Sequence, residues 1–430
     1  MSKPEVEKAR TIESVVKDGL CTGCGTCAGL CPLSAIDMVI NESKGIYVPR
    51  LDEVTCNRCG FCFEVCPGHA VDFRQLNQDI FGKQPEDIRL GNFLNCYVGH
   101  ATDYDIRYNS ASGGLVTALL IFALEQGIID GALVTRMRED KPLEPQPFIA
   151  RTREEIISAA KSKYCPVPAN IALKEILKAK DGERFAVVGL PCHIHGIRKA
   201  EAINKKLKER IVLHIGLVCS NSNNLHLTEF ILWRYGIKKE SVAHLDYRGE
   251  GWPGYMTIYF TNGTRKLIPY HEYIKFHAFG LFTPRRCTIC YDTTSELADI
   301  SCGDAWGFPE LAQDKVGRSL ATARNEMAEA LLQKATLAEK IVLETIDHRQ
   351  AYAGNKRANL EAKFFLNRLM RKSIPTYQIE LGRPKFTAYP YYLVLFTNMY
   401  VSSKKYLWRI IEPMSGFEKV ILKPLVKPSF

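Results

Sequence analysis

Two cysteine combs open the chain: CTGCGTCAGLCP at residues 21–32 and CNRCGFCFEVCP at residues 56–67. Both read C-x2-C-x2-C-x3-C-P, and every cysteine and the proline recur 35 positions later, the mark of an internal duplication. Thiolates at this spacing ligate [4Fe-4S] cubanes, with the fourth cysteine of each run crossing to the other cluster. One cubane then takes Cys21, Cys24, Cys27 and Cys66; the other takes Cys56, Cys59, Cys62 and Cys31. Gly23, Gly25 and Gly60 let the backbone wrap an inorganic core at φ values other residues avoid. Zinc has no use for two tandem four-cysteine combs that each end in proline, and the pair reads as an electron wire.

The elements downstream must position a second group of thiols. After residue 85 cysteines thin out and α/β patterning begins. SASGGLVTALLIFALEQG (110–127) reads as a loop entering a helix, with Ser110 or Ser112 as cap and Gly127 as stop. GALVTRM (131–137) reads as a strand. RFAVVGLPCHIHGIRK (184–199) reads as strand, turn and helix, and RIVLHIGLVCSN (210–221) as a further strand. Strands alternating with helices predict a largely parallel sheet, whose ligands sit outside the strands' carboxyl ends. Cys192 and Cys219 fall there, and Cys287, Cys290 and Cys302 follow in CTICYD and ADISCGDAWG. These five suffice for a third cubane. Cys96 and Cys165 read as small buried hydrophobes. His193 and His195, beside Cys192, are candidates for moving protons or for ordinary hydrogen bonding.

Composition bounds the rest. The 430 residues allow two or three domains, and 46% hydrophobic with 24% charged residues is ordinary globular usage. Polar residues fill the N-terminus and no apolar run reaches about 18 residues, so the expectation is a cytoplasmic protein without a membrane span. Fifteen cysteines there imply reduced, metal-binding thiols and an oxygen-poor setting. The net charge of +10 suits anionic cofactors or an acidic partner, and no nucleic-acid module appears.

The succession ASGGLVTALL, Glu125-x-Gly127, IDGALVTRM, KSKY, GLPCHIHGIRK, HIGLVCSN, YRGEGWPG, CTICYD and ADISCGDAWG resembles the coenzyme F420 hydrogenase/dehydrogenase beta-subunit family. A two-cluster ferredoxin segment precedes it, and the likeness covers roughly residues 15–345. The resemblance implies an F420H2:acceptor oxidoreductase that binds FAD, exchanges hydride with the deazaflavin F420 and passes single electrons through iron–sulfur clusters to redox subunits or a ferredoxin, or the reverse. It implies that Ser112, Gly113, Gly114 and Thr117 form the FAD-binding loop with Arg107 nearby, and that Lys163 and Tyr164 contact flavin or deazaflavin. It favours Cys192, Cys219, Cys287 and Cys290 for the third cluster, with Cys302 as the alternative. Two other functions stay open: a ferredoxin-fed reductase of an organic substrate, and a noncatalytic electron relay.

The expected architecture is α/β in four segments. A dicluster ferredoxin spans 1–85, the two family domains span 90–175 and 176–345, and a helical extension spans 346–430. AGNKRANLEAKFFLNRLMRK in that extension is a basic amphipathic helix candidate. Residues 386–412 read as an interfacial helix at the inner membrane face, a partner-docking segment, or a stretch packed on the protein's own surface.

Overall fold

The computed structural model describes residues 10–278, 280–308, 313–353 and 397–411. The combs flank a hairpin of β1 (Ile36–Asn41) and β2 (Ile46–Leu51), antiparallel with Val39 opposite Val48. Each comb turns through a left-handed glycine, Gly25 at φ 85° and Gly60 at φ 80°, into a one-turn helix. The duplication is therefore structural as well as sequential.

Behind this module lies an eight-stranded sheet in the order β13-β3-β12-β11-β7-β6-β4-β5. Its strands are β3 (Asn95–Ala101), β4 (Gly131–Met137), β5 (Pro145–Ala150), β6 (Phe185–Gly189), β7 (Ile211–Leu217), β11 (Ile300–Asp304), β12 (Ser319–Ala323) and β13 (Ile341–Ile346). Only the middle, β11-β7-β6-β4, is parallel. The remaining pairs are antiparallel, so the sheet is mixed and the expectation of a largely parallel one is corrected. The physical cause is local at one edge: residues 138–144 join β4 to β5, too few for a crossover helix. At the other edge β3 is wedged antiparallel between β12 and β13, which the helix Glu326–Leu337 connects. Strands from both halves of the family region thus share one sheet.

A smaller antiparallel sheet, β8 (Val242–Asp246), β9 (Tyr255–Phe260) and β10 (Arg265–Pro269), adjoins it. The helix Leu115–Glu125 buries Leu115, Leu119, Ile121 and Phe122 against the large sheet and the helix Glu326–Leu337. Its sequence is apolar on every face, which a helix tolerates only when enclosed.

The combs are built into this body. Asn170 Nδ2 donates to Thr26 Oγ1 at 2.8 Å and to the His193 carbonyl at 2.9 Å. Lys199 Nζ reaches the carbonyls of Cys66 and Ala70 at 2.8 and 2.6 Å. A Cβ on Gly29 would stand 2.0 Å from the Asn170 carbonyl oxygen, so only glycine permits the approach. Leu30, Val65 and Phe73 share a core with Phe185, Ile194 and Ile197; each such side chain, fully buried, contributes about 1.5–3 kcal/mol.

Residues 354–372 of the amphipathic candidate (353–372) and residues 386–396 and 412 of the tail lie outside the described residues. Residues 397–411 pack on the protein's own surface. Trp408 is buried against Phe230 and Phe282, and its Nε1 donates to the Ser402 carbonyl at 3.0 Å. Tyr400, Tyr406 and Ile410 stay exposed. No described helix is long and apolar enough to cross a membrane.

Candidate functional site

The two combs interleave. Cys31 lines one cavity with Cys56, Cys59 and Cys62, and Cys66 stands among Cys21, Cys24 and Cys27. Backbone amides already aim at sulfur: Gly23 N at Cys21 Sγ (3.4 Å), Ala35 N at Cys31 Sγ (3.3 Å) and Arg58 N at Cys56 Sγ (3.3 Å). Such donors stabilise thiolates and tune a bound cluster. Burial, then the neighbouring cysteines, pushes the Cys27 thiol well above its ordinary value, and burial takes Cys66 up to about 11. Left alone these thiols are neutral; iron binding displaces the protons. Among the described residues no three His, Cys, Asp or Glu side chains close on a single ion. The donor set and its spread around open space fit a cubane.

A second convergence lies at the carboxyl ends of β6 and β7. Cys192 begins the helix Pro191–Glu201, Cys219 follows β7, and Cys287 and Cys290 lie on and just after the 3₁₀ turn Arg285–Ile289. All four line one cavity, partly open to solvent, and Cys21 of the first comb lines it too. Burial, then Cys24, Cys219, Cys290 and Cys287, drives the Cys192 thiol well up. Cys302 does not join them. It sits inside β11, paired with Ala321 and Leu217, its thiol in the core under the Leu115 helix and raised to about 12 by burial alone. Cys96 and Cys165 are buried as small hydrophobes.

The histidines separate. His193 is structural: Nδ1 accepts from Leu190 N at 3.1 Å, Nε2 lies 2.9 Å from the Val167 carbonyl, and burial lowers its pKa to about 4. Both histidines line the cavity, and His195 Nε2 lies 2.7 Å from Asp292 Oδ2.

The Gly-Gly loop has a tighter setting than its sequence suggests. Gly113 N donates to Ser319 Oγ at 2.8 Å, and a Cβ there would fall 2.6 Å from both Gly99 O and Ser319 N. Gly114, at φ 77°, opens the Leu115 helix, which has no side-chain cap. Ser112 Oγ bonds Ser319 Oγ at 2.7 Å, and Thr117 is buried in the first turn. Arg107 is committed elsewhere: it pairs with Asp314 at 2.9 Å and donates to Gly317 O at 2.8 Å. Lys163 turns back on its own chain, donating to the carbonyls of Ala159 and Ala160 at 2.6 Å, and burial lowers its pKa to about 7. Tyr164 OH accepts from Arg248 at 3.0 Å.

That arginine leads to residues sequence reasoning missed. Arg248 is fully buried, donating to Asp304 Oδ1 at 3.1 Å and to the Ala111 carbonyl, with its guanidinium 4.4 Å over the Tyr270 ring. Trp252 Nε1 also donates to Asp304, at 2.9 Å. Trp252 and Trp306 lie 4.4 Å apart, and Trp306 stacks on Tyr270 at 5.7 Å and 18°. The result is a half-exposed aromatic shelf beside the Gly-Gly loop, at the carboxyl end of β11. YRGEGWPG and CGDAWG contain four of these residues; only folding joins them. An uncapped helix end beside a shelf of rings fits a dinucleotide with a flat ring system.

Comparison with known proteins gives the family. Residues 20–70 match the 4Fe-4S dicluster domain; residues 96–174 and 182–349 match the N-terminal and C-terminal domains of the coenzyme F420 hydrogenase/dehydrogenase beta subunit. The coenzyme F420 hydrogenase subunit beta of Methanosarcina barkeri is 30% identical over 234 residues, 52% of this chain and 75% of that protein. The coenzyme F420-dependent sulfite reductase of Methanocaldococcus jannaschii is 29% identical over 352 residues, 78% of this chain and 49% of that protein. A chain of the F420-reducing [NiFe] hydrogenase complex of Methanosarcina barkeri superposes with TM-score 0.52 at 23% identity, covering 68% of this chain and 99% of that one. Fold and combs together define an iron–sulfur protein of electron transport. The chain belongs to the coenzyme F420 hydrogenase/dehydrogenase beta-subunit family.

Proposed function

We propose that this chain is an F420-linked oxidoreductase that connects hydride exchange at a bound FAD to three [4Fe-4S] clusters and a redox partner. The observation that carries this reading is Cys21 of the first comb lining the same cavity as Cys192, Cys219, Cys287 and Cys290. A flavin can exchange an electron pair with F420 as one hydride and single electrons with iron–sulfur centres.

The protein's own residues supply position. Gly114 and the first turn of the Leu115 helix, with Ser112 and Thr117, would hold the FAD pyrophosphate. Trp252, Trp306 and Tyr270 offer faces for the ring system, and Arg248 braces the shelf through Asp304 and Ala111. The four sheet-edge cysteines would hold the cluster nearest the flavin, and Cys21, Cys24, Cys27 and Cys66 the next. The outer set reaches the surface at exposed Cys59, beside Val54 at 96% exposure, the natural contact for a partner. A solved relative belongs to a hydrogenase complex, which supports a partner subunit here.

The test is dye-linked oxidation of F420H2 by anaerobically purified protein whose iron and flavin have been counted. Activity with about twelve iron atoms and one FAD per chain is expected. Flavin-loaded protein that leaves F420H2 untouched moves the function to reduction of another substrate, and protein with clusters but no flavin leaves an electron relay.

A further inference from the structure

The wall of the shared cavity carries a buried arginine, two of whose guanidinium nitrogens meet no hydrogen-bond partner among the described residues. Arg286 is 8% exposed, and neither its Nε nor its Nη1 has a hydrogen-bond partner. It lines the cavity together with Cys21 and with Cys287, its own neighbour in the chain. The turn that bears it is pinned, because Ile289 is buried in the comb's core with Cys27, Cys62 and Cys66. Lys199 makes a contrast: its ammonium is already engaged by the Cys66 and Ala70 carbonyls.

A guanidinium does not shed its proton, and a buried charge without a partner is strongly disfavoured. An anion with several acceptor atoms is needed opposite Arg286. Four-thiolate iron–sulfur clusters have that character, and hydrogen bonds and charges near their sulfurs set their potentials.

Resting on the three-cluster reading above, we infer that Arg286 donates to sulfurs of the two inner clusters and raises the reduction potentials of both. Each reduction adds one electron to a cluster, and a fixed cation stabilises the added negative charge. The outer cluster of Cys31, Cys56, Cys59 and Cys62 lines a different cavity and escapes the effect.

The experiment is an EPR-monitored potentiometric titration of anaerobic holoprotein, comparing wild type with Arg286→Gln and Arg286→Lys. At the wild-type midpoints, Arg286→Gln is expected to lower the reduced-to-oxidised ratio of both inner clusters about tenfold, a shift of about 59 mV for one electron. Arg286→Lys should restore most of it, and the outer cluster should not move. Unmoved inner potentials in loaded Arg286→Gln, or an equal shift in all three clusters, overturns the inference. Should Arg286→Gln lose its clusters, wild-type protein carrying 15N-arginine decides: nitrogen hyperfine coupling from the label on a reduced inner cluster is expected, and its absence overturns the inference. Wild-type protein with only two clusters defeats the three-cluster reading itself. Three clusters with unmoved potentials defeat only the part given to Arg286.

Discussion

Asn170 and Thr26 stand 144 residues apart in the chain, and the Asn170 amide donates to the Thr26 hydroxyl over 2.8 Å. That bond, with Asn170 N donating to the Cys24 carbonyl at 2.9 Å, fastens the first comb to the family domain. A ferredoxin on a free linker would need to find its electron donor at each turnover. Here the inner comb is held at the cavity by packed backbone.

The fastening predicts a stability effect. A Cβ on Gly196 would fall 2.2 Å from Thr26 Oγ1, so Gly196→Val should push the comb off the Pro191 helix. Overpacking of this kind costs about 1–3 kcal/mol. Thermal unfolding should start lower, and limited proteolysis should release a comb-containing fragment that the wild type does not give.

Cysteine substitutions should sort the metal sites. Cys290→Ser should remove about four of about twelve iron atoms, because it takes one ligand from the sheet-edge set. Cys302→Ser should keep all the iron and lose only some stability, since its thiol lies in the hydrophobic core. Iron loss from the Cys302 variant would return that residue to the ligand set.

Flavin retention is best tested through the shelf. Gly113→Val is a poor probe, because its side chain would strike the backbones of β3 and β12 before reaching any cofactor. Trp252→Leu leaves those strands untouched and removes one ring of the shelf. Purified variant should hold less FAD per chain than wild type while cluster EPR persists. An unchanged flavin content would place the ring system elsewhere.

A buried charge network predicts a pH effect. His214 bonds Glu201 at 2.7 Å and Asp299 at 2.9 Å, and Arg198 bonds both carboxylates. Burial and Arg198 oppose a charge on His214, but Glu201 and Asp299 prevail and raise its pKa. The folded state therefore binds the proton more tightly than the unfolded state. The contribution is complete below the ordinary histidine value of about 6.5 and lost as pH rises through the raised one. His214→Gln should narrow or lose its melting-temperature deficit between about pH 6 and pH 9. A deficit that grows with pH would mean that His214 is neutral in the fold.

What was legible in the sequence follows from how local each feature is. Comb ligation depends on spacing over eleven residues and on a repeat at fixed offset, both visible directly in the chain. Cys192 and Cys219 were readable because strand and turn announce where a sheet ends. The mixed sheet was not, since β3 finds β12 and β13 across more than 200 residues. Arg107 looked like a spare charge until folding brought Asp314 to it. Arg248 and Arg286 carried no signal, because their meaning lies in being buried.

F420H2 is expected to deliver reducing equivalents to this protein's own clusters. The most direct measurement mixes anaerobic, oxidised wild-type protein with F420H2 alone and freezes it for EPR. Loss of F420H2 absorbance with matching growth of reduced-cluster signals is the predicted result. Protein whose clusters are reduced by dithionite but stay oxidised under excess F420H2, with FAD in place, would contradict it.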